Sequence, residues 1–336
     1  MVTIRMIAEQ CGCSTATVSK ALNGAPDVSN ETAERIRKAA IEMGYTPNAA
    51  ARALKTSRSH SFGVLFKDAS DSGLTHEFFS TILNSFKRRA EELGYDICFI
   101  TERLGRQDIT YVEHARYRNF DGVLIASAEY SDPSVLELMA SGIPVVAADY
   151  VHDSCGAVLS DNPRGMADLV SYIYSMGHRK IAFIHGEDTD VTRLRIDSFR
   201  RTCRELGLDI PDDYVIPASY HDPASSGRYT RQLLEREDPP TCIIYPDDIS
   251  YIGGMYEIEK MGLSIPDDIS TAGYDGIKLS QLYRPRLTTL RQDAEAIGIR
   301  AAEELAKAVE EGKRYIPGRI IIPGTVCIGG TVKKIP

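Results

Sequence analysis

From residue 61 onward, short runs rich in β-branched residues alternate with longer amphipathic stretches, and the alternation occurs twice over. A chain patterned this way buries its apolar runs as a parallel sheet and lays its amphipathic stretches on both faces. The first set predicts strands at 62–66, 96–100, 122–126 and 143–147, with helices near 77–93, 108–119 and 133–141. The second predicts strands at 180–185, 242–245 and 269–273, with helices near 164–176, 192–206, 223–236 and 248–261. Two doubly wound halves place a cleft between them, where ligands of such folds meet the strand C-termini. Ala296, Ile297, Ile299, Ala302, Leu305, Ala306 and Val309 mark one further amphipathic helix near 294–311.

The first sixty residues follow another period. Ile4, Ile7, Ala8 and Cys11 recur at helical spacing, and Gly12 breaks the run. Ser14 is a good N-cap for a second helix with Val18, Ala21 and Leu22 on its inner face, ended by Asn23-Gly24. Ser29 caps a third, with Ala33, Ile36, Ala40 and Met43 inward and Gly44 at its end. Short helices joined by a Gly turn and backed by a third are the helix-turn-helix pattern. The outward face of the second helix, Thr15, Ala16, Ser19 and Lys20, is small or polar. Such a face fits a major groove, with Lys20 able to reach a guanine edge or a phosphate; a plain solvated helix face is the alternative. Charge favours the groove. Residues 1–60 hold eight Lys/Arg against five Asp/Glu, so a +3 segment precedes a remainder carrying −11 of the net −8.

Thr3-Ile4-Arg5-Met6-Ile7-Ala8, Gly12 and Ser14-Thr15-Ala16-Thr17-Val18-Ser19-Lys20-Ala21-Leu22-Asn23-Gly24 resemble the head of the LacI/GalR family of bacterial transcription regulators. Val28-Ser29 to Thr32, Gly44-Tyr45-Thr46-Pro47-Asn48 and Ala51-Arg52-Ala53-Leu54 continue the resemblance. So do Asp121-Gly122-Val123, Gly142-Ile143-Pro144, Asp161-Asn162 to Gly165, Gly177-His178-Arg179, Gly273-Tyr274-Asp275 and Leu287-Thr288-Thr289-Leu290-Arg291-Gln292. The resemblance therefore covers nearly the whole chain. It implies a helix-turn-helix DNA-binding domain over 1–45, a hinge helix and linker over 46–60, and an effector-binding and dimerisation core over 61–336. That core is of the periplasmic-binding-protein-like type, with a first subdomain of about 61–160 and 291–320 and a second of about 161–290 and 321–336. The chain thus crosses between them three times. DNA contacts fall to Thr3, Ser14, Thr15, Ala16, Thr17, Ser19, Lys20, Asn23, Asn48, Arg52 and Leu54. The alanine-rich hinge is shorter than an isolated stable helix, so it is expected to fold when paired on DNA, with Leu54 wedged into the minor groove.

Residue by residue, the resemblance also implies ligand contacts for Arg195 and Asp275, and for Asp247, where the family usually has asparagine. Carboxylates accept from sugar hydroxyls while a guanidinium donates in a fixed fork. Asp149 and Phe79 are further cleft candidates, Phe79 either stacking on a sugar face or buried at its helix start. The loop at 71–75 departs from the family pattern, and His76 beside it is expected to be solvated. One cation among several carboxylates points to a neutral polyhydroxy effector rather than a phosphorylated one. The expected protein is a cytoplasmic homodimeric repressor of a pseudo-palindromic double-stranded operator, with no cofactor and no membrane partner.

Other classes fit less well. Seven scattered cysteines read as buried hydrophobes of a reducing compartment, and Cys11-Gly-Cys13 lacks a partner pair for zinc. No apolar run is long enough to span a membrane, and the N-terminus is a poor secretion signal; both oppose a solute-binding protein of similar core. No phosphate loop, nucleophile elbow or metal-spaced cluster supports an enzyme. His152, His178, His185 and His221 are isolated and read as structural. A regulator answering to a nucleobase or nucleoside remains the alternative to a sugar-responsive one.

Overall fold

The computed structural model describes residues 2–22, 24–46, 58–67 and 73–336, in two compact units, residues 1–59 and 60–336. The expected contacts Asn23, Asn48, Arg52 and Leu54 lie outside the described residues, as do residues 71 and 72 of the 71–75 insertion; Gly73–Thr75 form a single 3-10 turn.

The small unit holds helices Ile4–Cys11, Thr15–Leu22 and Asn30–Glu42. Each starts where a hydroxyl takes up an orphan amide. Thr3 accepts from Met6 N–H at 3.4 Å, Ser14 from Thr17 N–H at 3.0 Å and Ser29 from Thr32 N–H at 3.4 Å. Gly12 closes the first helix at φ 61°, a left-handed conformation that costs glycine nothing. Ile7, Val18 and Ile36 are fully buried, and Ala8, Ala21, Ala33, Ala39 and Ala40 let the three helices close around them.

The large unit contains two six-stranded sheets. The first has β1 Ser61–Phe66, β2 Asp96–Phe99, β5 Gly122–Ser127, β6 Val145–Ala148, β7 Gly156–Ser160 and β13 Arg319–Ile322, all parallel, ordered β13-β7-β6-β5-β1-β2. The second has β8 Ile181–His185, β9 Val215–Pro217, β10 Cys242–Ile244, β11 Ser270–Asp275, β12 Thr288–Arg291 and β14 Thr325–Cys327. Its order is β14-β12-β11-β10-β8-β9, antiparallel only at β14. A hairpin of β3 Arg103–Leu104 and β4 Gln107–Asp108 stands apart.

The chain passes between the halves three times: from Ser160 into helix Asn162–Ser175, from Arg291 into helix Ala294–Glu311, and between Ile322 and Thr325. Helix Ala294–Glu311 belongs to the first half, burying Ile297, Ala301, Leu305 and Val309 with Phe62, Val64, Phe86 and Leu124. Each such fully buried large side chain contributes about 1.5–3 kcal/mol. Gly298 lets this helix meet helix Glu77–Glu92, since a Cβ there would fall 2.1 Å from Ser85 Oγ and 2.2 Å from Ile82 O.

Two details differ from the sequence pattern. Five strands beyond the expected set complete the sheets: β7, β9, β12, β13 and β14. The helix expected from residue 108 begins at Tyr111, because Thr110 and Glu113 form a reciprocal capping box and residues 107–108 pair in the hairpin.

Candidate functional site

On helix Thr15–Leu22 three of the four outward residues, Thr15, Ala16 and Lys20, keep their expected exposure, and Ser19 is more covered than its helical position suggested. Ser14, Thr15, Ala16 and Lys20 are exposed, as is Thr3, while Thr17 and Ser19 are half-buried. Ser14 and Thr17 also serve the helix start, their hydroxyls 2.9 Å apart. The Lys20 ammonium is paired with the Asp27 carboxylate, whose pKa is held below its ordinary value by that hydrogen bond. Both partners are about half exposed, so solvent screens the pair and a phosphate or base edge can compete for Lys20.

In the large unit, Arg195 sits on helix Asp190–Glu205 with 4% exposure. Its Nε donates to Asn162 Oδ1 at 2.8 Å and its Nη1 to the Pro246 carbonyl at 3.4 Å. The guanidinium lies 3.7 Å from the centre of the Tyr274 ring and 5.9 Å from that of Tyr220. Burial works to lower its pKa; Tyr220, Tyr274, Asp275 and Asp149 reverse that and hold it above its ordinary value. Asp275, at the end of β11, adopts φ 97° and accepts from Gln292 Nε2 at 2.7 Å. Burial raises its pKa to about 6, against the opposing pull of Arg195. Asp149, just past β6 at φ 51°, accepts from Ser160 N–H at 2.5 Å and from its hydroxyl at 3.1 Å. Burial pushes its carboxyl upward too, opposed by the Ser160 bond and Arg195. The structure thus brings Arg195, Asp275 and Asp149 into one electrostatic group, each carboxylate feeling the guanidinium.

Asp247 is used differently. Its carboxylate accepts from His221 N–H at 2.9 Å, Ile249 N–H at 2.9 Å, Ser250 N–H at 2.8 Å and Ser250 Oγ at 2.8 Å. About four acceptor positions are thereby filled by protein donors. Asp248 beside it is fully buried, with burial raising its pKa well above the ordinary range. It accepts from Thr289 Oγ1 at 2.6 Å and Ile277 N–H at 2.9 Å, tying the ends of β11 and β12. Phe79 packs at the helix start, 5.4 Å from Phe66 and 5.3 Å from Phe78. His76 is not solvated as its loop position suggested: it is 7% exposed and stacks on His221. His178 bridges Thr241 Oγ1 and the Lys333 carbonyl, a structural use.

Sequence reasoning singled out none of Tyr220, Tyr274, Asn162 or Gln292 as part of the site, and it set His221 aside. Asn162, Tyr274 and Gln292 stand inside quoted family strings. Tyr220 has only an indirect signal in Gly186, whose missing Cβ makes room for its ring; a Cβ there would fall 2.1 Å from it. Among the described residues, no group of three or more His, Cys, Asp or Glu could hold a metal ion, and no helix is long and apolar enough to cross a membrane.

Comparison with known proteins accounts for both units. Residues 3–48 match the family described as bacterial regulatory proteins, lacI family, and residues 170–332 match a periplasmic binding protein-like domain. The chain is 30% identical over 315 residues to a probable HTH-type transcriptional repressor ExuR of Bacillus subtilis (strain 168), covering 93% of this chain and 92% of that one. It is 29% identical over 317 residues to the HTH-type transcriptional repressor PurR of Pasteurella multocida (strain Pm70), covering 93% of each. Among solved structures, the lac repressor dimer bound to operator and the anti-inducer ONPF aligns with TM-score 0.80 and 25% identity over 99% of both chains. With a head matched by one family and a core matched by its repressors over almost its full length, the chain belongs to the lacI family of bacterial regulatory proteins, as a DNA-binding transcriptional repressor with an effector-binding core.

Proposed function

We propose that this repressor acts as a homodimer in the cytoplasm, reads a pseudo-palindromic operator with Thr15, Ala16, Ser19 and Lys20, and is controlled by a neutral polyhydroxy effector, a sugar, held between the two halves. Arg195, Asp275 and Asp149 are its polar contacts, Phe79 lines the site, and Asp247 acts through the His221 loop it pins. The observation that carries the reading is the pairing of one guanidinium with two carboxylates whose pKa values burial raises. A phosphorylated ligand would bring about two more negative charges to that site, against a single permanent cation; vicinal hydroxyls suit its mix of donors and acceptors. The solved lac repressor dimer, bound to operator and an anti-inducer, supports the dimer and the small-molecule control.

Thermal denaturation against monosaccharides, disaccharides, sugar phosphates and nucleobases tests the effector class, since a ligand of the folded state raises Tm by mass action. A neutral sugar is expected to raise Tm, with the gain lost in Arg195→Ala and Asp275→Ala. A rise confined to sugar phosphates or nucleobases would overturn the sugar reading. Binding of the protein to its own upstream DNA, with and without that sugar, tests the control.

A further inference from the structure

Three of the candidate effector residues share one habit: each is bonded to a residue at a crossing between the halves. Asp149 takes the N–H and hydroxyl of Ser160, the last residue of β7. Arg195 Nε donates to Asn162, the first residue of the helix beyond that crossing. Asp275 takes Gln292 Nε2 at 2.7 Å and gives its backbone carbonyl to Gln292 N–H at 3.2 Å, at the second crossing. Helix Asp190–Glu205 touches the first crossing again, Ser198 Oγ donating to the Pro163 carbonyl at 2.5 Å.

Both amides are oriented by chemistry. A guanidinium only donates, so Asn162 must turn its oxygen to Arg195; a carboxylate only accepts, so Gln292 must turn its nitrogen to Asp275. Asn162 is 2% exposed, and its Nδ2 donates back to the Ser160 carbonyl at 3.4 Å. An unbroken line therefore runs Asp149–Ser160–Asn162–Arg195, from one half to the other. Gln292 is 7% exposed and its Oε1 meets no protein donor, so its side chain is directed by Asp275 alone.

We infer that Asn162 and Gln292 are positioning residues that fix Arg195 and Asp275 to two of the three crossings, so that the aim of these side chains and the geometry of the crossings vary together. The inference rests on the assignment of Arg195 and Asp275 to the effector site. Committing Nε to Asn162 and one Nη1 hydrogen to the Pro246 carbonyl leaves Nη2 and the second Nη1 hydrogen as the donors that meet a ligand. A rotation of one half about the other changes the backbone at the crossings, and with it the anchor of each side chain. Effector occupancy then biases the arrangement of the halves by its differential affinity for the two arrangements.

The test uses the full chain without any effector, so it stands apart from the ligand panel, which alone decides whether Arg195 and Asp275 bind a sugar. The Arg195 Nε–H resonance should exchange slowly in the wild type and roughly tenfold faster in Asn162→Ala. Asn162→Asp, which keeps an acceptor, should restore slow exchange. The Asp275 carboxyl carbon should titrate at a higher pH in Gln292→Ala, because the bond favouring its charged form is gone. Asp275→Ala should speed exchange of the Gln292 side-chain amide protons several-fold, because their acceptor carboxylate is gone. Should Asn162→Ala fail to fold, Asn162→Asp and the Gln292 and Asp275 variants carry the test. Unchanged Arg195 exchange, an unmoved Asp275 titration, or an unaffected Gln292 amide in a folded variant would overturn the assignment.

Discussion

The imidazole of His76 stacks on that of His221, ring centroids 3.7 Å apart and planes 24° from parallel, and the two residues come from opposite halves of the large unit. His76 is the cap residue of helix Glu77–Glu92, and His221 holds φ 53° with its N–H given to Asp247. Beside the stack, Glu77 Oε1 accepts the Lys278 N–H at 2.8 Å. Two successive residues of the first half therefore grip two loops of the second, along one edge of the cleft.

Removing that grip should loosen the edge and not the sheets. An aromatic pair contributes about 0.5–1.5 kcal/mol beyond the area it buries. His76→Ala is expected to lower Tm by only a few degrees. Backbone exchange should accelerate at 73–80 and 219–222, with β1, β5 and β10 unchanged. Uniform acceleration across both sheets would show that His76 supports the core and not the edge.

Proton binding at Asp275 gives a second expectation. Its folded pKa of about 6 lies above the ordinary 3.8, so the folded chain binds more protons than the unfolded chain between about pH 4 and 6. Its contribution to stability is therefore present below about pH 4 and is lost as pH rises through about 6. Asp275→Asn cannot ionise. Its Tm, measured against the wild type, should be relatively higher at pH 7 than at pH 4, and a difference independent of pH would contradict the buried carboxylate.

Much of the architecture was legible because amphipathic helices bury a continuous stripe. Helix Glu77–Glu92 was expected at 77–93, and Ala294–Glu311 at 294–311. Edge strands left little signal. β9 and β14 are three residues long, and β13 is specified by pairing with β7 across more than 150 residues of sequence. At the site, charged residues in family strings announced themselves. The Tyr274 ring under Arg195 and the stacking of His76 on His221 arise from contacts distant along the chain, which no local spacing encodes.

On the DNA side, Lys20 must leave Asp27 to reach a base or phosphate. Lys20→Ala should weaken operator binding by roughly tenfold or more and alter preference among operator variants if Lys20 reads a base edge. If it meets only phosphate, the loss should be uniform across sequences and the salt slope should fall by about one. Asp27→Ala should strengthen binding, since it removes both the competitor and a negative charge from the DNA-facing side. These are read by titrating labelled upstream DNA at several salt concentrations, and equal affinity of all three proteins on every DNA would remove Lys20 from the reading face.

Arg195 and Asp275 should show strong energetic coupling, and its sign can be worked out in advance. Arg195 is the cation that opposes burial in setting the charge of both Asp275 and Asp149. Arg195→Ala leaves those carboxylates buried without it, and breaking a buried pair from one side costs about 3–5 kcal/mol. Part of that loss is escaped by protonation, so the Asp275 pKa should climb above about 6 and the variant should recover stability as pH falls. Adding Asp275→Asn removes one of the two stranded charges while keeping a side chain of the same shape. The double variant should therefore be more stable at pH 7 than Arg195→Ala alone, even though Asp275→Asn is a change at the same site. Thermal unfolding of the four proteins at pH 5 and pH 7 closes the cycle, and additive effects at pH 7 would mean that Arg195 and Asp275 do not share one electrostatic group.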